Sequence, residues 1–83
     1  MRLRTDGLTW QEIDGELVIL DLNSSAYLTT NPAGATLAKL LTEERTVDEL
    51  AQALVDEFDI DLAQARQDTD DFVSQLAEKN LLV

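Results

Sequence analysis

The feature that most constrains this chain is a change of period at Asn31-Pro32. Up to Thr30 the residues favour extended chain, and from residue 31 onward the apolar residues recur three and four apart. Asn is a strong helix N-cap, and Pro suits the first helical position, where its missing N–H costs nothing. The chain therefore has to build its sheet first and its helices afterwards.

Three strands fit into the first part. Leu8 to Ile13 is followed by Asp14-Gly15, a strong hairpin signal because both central positions of a type I′ turn need positive φ. The run 16–22 is rich in branched apolar residues, Asn23-Ser24 makes a second tight turn, and 25–29 makes a third strand. Such a meander puts the second strand in the centre and the third at an edge. The helices are predicted over 32–43, 47–58 and 62–79. Their apolar stripes are Ala33, Leu37, Leu40 and Leu41, then Val47, Leu50, Ala51, Leu54, Val55 and Phe58, then Leu62, Ala65, Thr69, Phe72, Val73, Leu76 and Ala77. Thr46 with Glu49 forms a capping box at the start of the second helix. Leu81-Leu82-Val83 lacks polar interruption and is expected to tuck back onto the core. The predicted class is α+β: a three-stranded antiparallel β-meander followed by a three-helix bundle, winged-helix-like, as one domain over 1–83.

Composition narrows the chemistry. With no Cys and no His, the chain has no disulfide, thiolate or imidazole ligand, Cys nucleophile or His base. Seventeen acidic against six basic residues give a net charge of −11, which repels nucleic acid and anionic lipid. A partner held partly by charge should be neutral or basic. The first residues, Met1 to Gly7, carry two arginines with no apolar run behind them, and no stretch reaches the length of a membrane span. A cytoplasmic protein without nucleic-acid or membrane partners is expected.

Three functional classes fare badly. Acid–base catalysis needs carboxyls converging in a cleft, whereas Glu43-Glu44, Asp59 with Asp61, and Asp68 with Asp70-Asp71 fall on predicted turns and solvated helix faces. Asp59-Ile60-Asp61 lacks the further acid, central Gly and final Glu of a calcium loop. No metal, no cofactor and no catalytic residue is expected. A carrier of prosthetic groups would need an Asp-Ser-Leu or Asp-Ser-Ile triplet, but the serines are Ser24, Ser25 and Ser74 in other contexts. As a DNA reader, the third helix presents Asp61, Asp68, Asp70, Asp71 and Glu78 against Arg66 and Lys79, the wrong charge for a groove lined with phosphates. The sheet edge is the remaining candidate. Residues 25–29 carry neither the charge nor the Pro that usually blunts an edge strand. An extended peptide could add there as a further strand, unless the third helix or a second copy of the chain covers that edge.

The order of features adds a resemblance. Trp10, the central Leu-Val-Ile-Leu-Asp-Leu (17–22) and Tyr-Leu-x-x-Asn-Pro (27–32) come first. Leu-Leu (40–41), Thr-Val-Asp-Glu-Leu (46–50), Phe-Val-x-x-Leu (72–76) and the final Asn-Leu-Leu-Val (80–83) follow in order. This collinear run, from Trp10 to Val83, resembles the PqqD-like family, the peptide-recognition elements of ribosomal peptide natural product biosynthesis. The resemblance implies a non-catalytic protein that grips the leader segment of a precursor peptide, antiparallel to the third strand and against the third helix. It is similar in particular to the stand-alone members of lasso peptide pathways, whose leaders carry Tyr, Pro and Leu (Tyr-x-x-Pro-x-Leu). A separate cysteine protease there removes the leader. Carried over, the implied peptide-binding residues are Ser25, Ala26, Tyr27, Leu28 and Thr29 on the strand, and Arg66, Thr69, Asp70, Val73, Leu76 and Ala77 on the helix. Phe72 and Leu62 are assigned to the core, and Asp70 with its acidic neighbours favours a leader bearing lysines.

The central strand is apolar on both faces, Leu17 and Ile19 on one, Val18, Leu20 and Leu22 on the other. One helical layer covers one face, so the other is expected to meet an amino-terminal arm, a second copy or the protease. Trp10, Leu17 and Ile19 are the residues proposed for a partner-enzyme surface. Two alternatives remain: a chaperone presenting a precursor to a radical enzyme, as in quinone cofactor biosynthesis, and an adaptor that homodimerises through the same edge.

Overall fold

The computed structural model describes residues 1–83. Three strands, β1 (Leu8–Ile13), β2 (Glu16–Asp21) and β3 (Tyr27–Thr29), precede three helices, α1 (Pro32–Leu40), α2 (Val47–Phe58) and α3 (Leu62–Glu78). The sheet order is β1-β2-β3 and both pairings are antiparallel. Asp14 and Gly15 turn β1 into β2 with φ of 52° and 82°, the positive values that a type I′ turn demands.

Register decides which face of β2 is core. Ile19 pairs with Leu28 on one side and Trp10 on the other, while Val18 pairs with Thr29 and Leu20 with Tyr27. Paired residues point the same way, so Leu17, Ile19 and Leu28 all face the helices and are 3%, 1% and 8% exposed. This corrects the expectation that Leu17 and Ile19 belong to a docking surface. They pack with Leu37, Ala38, Leu41, Leu50, Leu54 and Leu76 in the single hydrophobic core. Trp10 lies on that same inner side, half-exposed at the rim beside Leu3, Arg4, Leu8 and Thr42. The outer face belongs to Val18, Leu20 and Tyr27, with Leu22 just beyond.

The helices begin where side chains satisfy the free N–H groups of their first turns. Asn31 Oδ1 accepts from Gly34 N–H at 2.8 Å, and Asp61 Oδ1 accepts from Gln64 N–H at 2.8 Å. Thr46 and Glu49 close the capping box at 3.1 and 2.9 Å. Asp59 ends α2 in the left-handed region (φ 52°) and Asp61 caps α3, so both acids of the Asp59-Ile60-Asp61 run have structural work. The Glu49 carboxyl lies below its ordinary range because the Thr46 backbone N–H donates to it.

The termini clasp each other. Leu3 bridges Leu82, Arg4 N–H donates to Leu81 C=O at 2.8 Å, and Val83 N–H donates to Arg2 C=O at 3.0 Å. Leu3 and Leu81 are thereby buried, and the amino-terminal arm covers the base of the core rather than the outer face of the sheet. No helix is long and apolar enough to cross a membrane.

Candidate functional site

The candidate site starts from the way β3 begins. The sequence pattern put a strand over 25–29, but only Tyr27–Thr29 is strand. Asp21 is the cause. Its carboxylate accepts from Asn23 N–H (3.0 Å), the Ser24 hydroxyl (3.0 Å) and the Arg4 guanidinium (2.7 Å). Burial of that carboxyl opposes ionisation, yet the hydrogen bond from Arg4, with those from Asn23 and Ser24, holds its pKa below the ordinary carboxylate value. The loop winds around this anion. Ser25 turns left-handed (φ 61°) and spends its N–H on Asp21 C=O, while Ala26 C=O accepts from Asp21 N–H. Ser25 and Ala26 therefore fasten β3 to β2 and offer little free edge.

How β3 ends is equally specific. Thr30 N–H donates to Leu17 C=O at 2.9 Å, and its hydroxyl accepts from Leu17 N–H (3.1 Å) while donating to Leu17 C=O (3.0 Å). The side chain replaces the carbonyl that would continue the ladder, which frees the backbone to turn into α1. Bonded and non-bonded pairs alternate along an antiparallel ladder. Since Thr30–Leu17 and Ala26–Asp21 are bonded, Leu28–Ile19 is bonded too. The N–H and C=O groups of Tyr27 and Thr29 consequently point away from β2, towards the open edge.

That edge looks across a cleft of about 470 Å³ to α3. No Cα of β3 comes within 8 Å of one in α3, which leaves room for an extended chain spaced about 4.8 Å from β3. The floor is apolar, from Ala33, Gly34 and Leu37 of α1 and Phe72 of α3, and Thr29, Thr30 and Asn31 form the strand-side wall. Asp68, Asp71 and Gln75 form the rim along α3. Asp68 and Asp71 accept from Gln64 and Gln67 at 2.8 and 2.9 Å, and neither pairs with a lysine or arginine.

The strand residues named from sequence thus divide into anchors (Ser25, Ala26), an inward core residue (Leu28) and two with free backbone (Tyr27, Thr29). The helix residues lie elsewhere. Thr69 and Leu76 are fully buried in the core. Arg66 reaches Asp48 of α2 at 3.1 Å, and Asp70, Val73 and Ala77 follow it on that α2 flank. At 3.6 residues per turn, the row 66, 70, 73, 77 runs down the side of α3 opposite the row 68, 71, 72, 75 that lines the cleft. The residues missed from sequence are Asp68, Asp71, Gln75, Gly34, Thr30 and the groove-lining role of Phe72. One signal pointed to part of this set: β3 runs into α1 with no linker, so the first turn of α1 has to border the end of the strand at Thr30.

Among curated proteins none matches the sequence. A solved structure described as TbiB1 in complex with the TbiA(beta) leader peptide is 30% identical, with a TM-score of 0.85, covering 99% of this chain and 94% of that one. A second, lasso peptide synthetase B1 complexed with the leader peptide, is 26% identical with a TM-score of 0.80, covering 96% and 93%. The family model for coenzyme PQQ synthesis protein D (PqqD) matches residues 16–82. The architecture of three antiparallel strands followed by three helices is theirs as well as this chain's, and the chain belongs to the PqqD family.

Proposed function

We propose that this chain is a non-catalytic recognition protein for the leader segment of a ribosomally made precursor peptide. The leader adds as an antiparallel strand on Tyr27–Thr29 and lies in the cleft against α3. The observation that carries this reading is the open edge at Tyr27 and Thr29, continued at Thr29 into a cleft floored by Ala33, Leu37 and Phe72, in a fold shared over 99% of the chain with a leader-bound protein. Main-chain bonds supply affinity in this mode, and pockets for alternate side chains supply specificity. The uncompensated Asp68 and Asp71 suit a leader carrying lysine or arginine near α3.

A lasso peptide pathway is the favoured setting, since one solved neighbour is a lasso peptide synthetase B1. The leader is then expected to carry Tyr-x-x-Pro-x-Leu, and the receiving enzyme is a leader-cleaving cysteine protease. The exposed side of the sheet at Val18, Leu20 and Tyr27 is the face offered to that enzyme. It adjoins the peptide edge through Tyr27, so an enzyme seated there also reaches the peptide. The second reading, presentation of a precursor to a radical enzyme, draws on the family's description as a coenzyme PQQ synthesis protein. Titration of a synthetic Tyr-x-x-Pro-x-Leu leader, followed by amide NMR, tests the proposal. Shifts should cluster at Tyr27, Thr29, Gly34, Phe72 and Gln75, and absence of binding at micromolar concentrations refutes it.

A further inference from the structure

A glycine within the first turn of a helix is unfavourable relative to alanine, so its presence asks for a reason. Gly34 of α1 is buried, and its backbone is ordinary helix rather than a positive-φ conformation. The reason is therefore space. A Cβ on residue 34 would lie 3.0 Å from Thr30 Cβ and 3.1 and 3.3 Å from Cε1 and Cδ1 of Phe72. Thr30 cannot yield, because its hydroxyl and N–H are held in three hydrogen bonds to Leu17. Phe72 has to yield, and its ring is the part of α3 that floors the cleft.

Resting on the reading of the cleft as a peptide site, we propose that Gly34 is its size filter. By letting the Phe72 ring close against α1, the bare Cα leaves room above the floor for one bulky apolar side chain of the peptide. Ala33 and Leu37 extend that apolar floor, whereas the rim is polar. In an added strand every second side chain points to the same side, so the residue filling this space belongs to the peptide's inward-facing set. A methyl group at position 34 pushes the ring upward and shortens the space by about the size of that group. The chosen ligand chemistry is a large aliphatic or aromatic side chain, and the selection is steric.

The test is a double-mutant cycle between protein and peptide. An alanine scan of a synthetic Tyr-x-x-Pro-x-Leu leader against the wild-type protein identifies the apolar residue whose loss costs most. Gly34→Ala should weaken the parent leader about tenfold but the alanine-substituted leader by less than about twofold. Adding Phe72→Leu to Gly34→Ala should recover most of the loss. If Gly34→Ala fails to fold, Phe72→Leu alone keeps the test: it should favour a leader with a larger residue at the scanned position. Equal weakening of both leaders without recovery in the double variant, or no change in preference with Phe72→Leu, overturns the proposal. A wild-type protein that binds no leader removes the functional reading itself, and the filter with it. A wild-type protein that binds while Gly34→Ala behaves identically removes the filter alone.

Discussion

Replacing Tyr27 by Pro removes one N–H, and the structure says which one. Tyr27 faces Leu20 in a non-hydrogen-bonded pair, so its N–H points to the open edge and contributes nothing to the β2–β3 ladder. Tyr27 is 66% exposed, and its phenol ring on the outer face is lost in the same substitution. Tyr27→Ala, which keeps the N–H, is therefore the reference. Between the two variants the difference is one peptide hydrogen bond, about 0.5–1.5 kcal/mol net, or about two- to twelvefold in affinity. Leu28→Pro is the contrasting change: it removes the N–H bonded to Ile19, replaces a buried leucine by a smaller side chain and should cost the fold about 3 kcal/mol or more. Isothermal titration with a synthetic leader gives the affinities, and circular dichroism melting gives the stabilities. Tyr27→Pro binding as well as Tyr27→Ala, with both folded, would refute strand addition at this edge.

Three other outcomes follow from the same geometry. Asp71→Lys should slow leader association and flatten its salt dependence, while Asp70→Lys, on the α2 flank, should leave both unchanged in stopped-flow measurements. Asp21 carries a lowered pKa, so its stabilising contribution is complete above the ordinary value of 3.8 and is lost as pH falls through the folded-state value. The gap in melting temperature between wild type and Asp21→Asn should accordingly be constant near neutral pH and close in acid; a gap that persists below that range contradicts the assignment. Leu20→Asp, on the outer face, should abolish co-purification with the leader protease while leaving leader affinity intact, and a parallel loss of both would show that Leu20 serves the peptide site instead.

What the sequence made legible was local. Asp14-Gly15, Asn31-Pro32 and the Thr46–Glu49 box each specify their own turn or cap through neighbours three residues away or fewer, and the structure places all three as read. The choices that escaped were set by distant partners. The apolar stripe of α3 is plain in the sequence, but a stripe has two flanks. Which one borders β3 depends on α2 taking the Arg66 side. Likewise β2 is apolar on both faces, and only the pairing of Ile19 with Leu28 beneath the helices makes Leu17 and Ile19 core. Residues 25 and 26 resemble strand, yet Arg4, 17 positions before Asp21, holds the buried carboxylate that curls them into a loop. Gly34 escaped because the space it leaves exists only once Phe72 has arrived from α3.

Amide hydrogen exchange at three consecutive residues tests the central claim most directly. In the free protein Leu28, bonded to Ile19, should be protected, and Tyr27 and Thr29 should exchange rapidly. With a saturating synthetic leader, protection should appear at Tyr27 and Thr29 together, since both donate to an added antiparallel strand. Leader binding that leaves Tyr27 and Thr29 exchanging as fast as in the free protein would contradict the account.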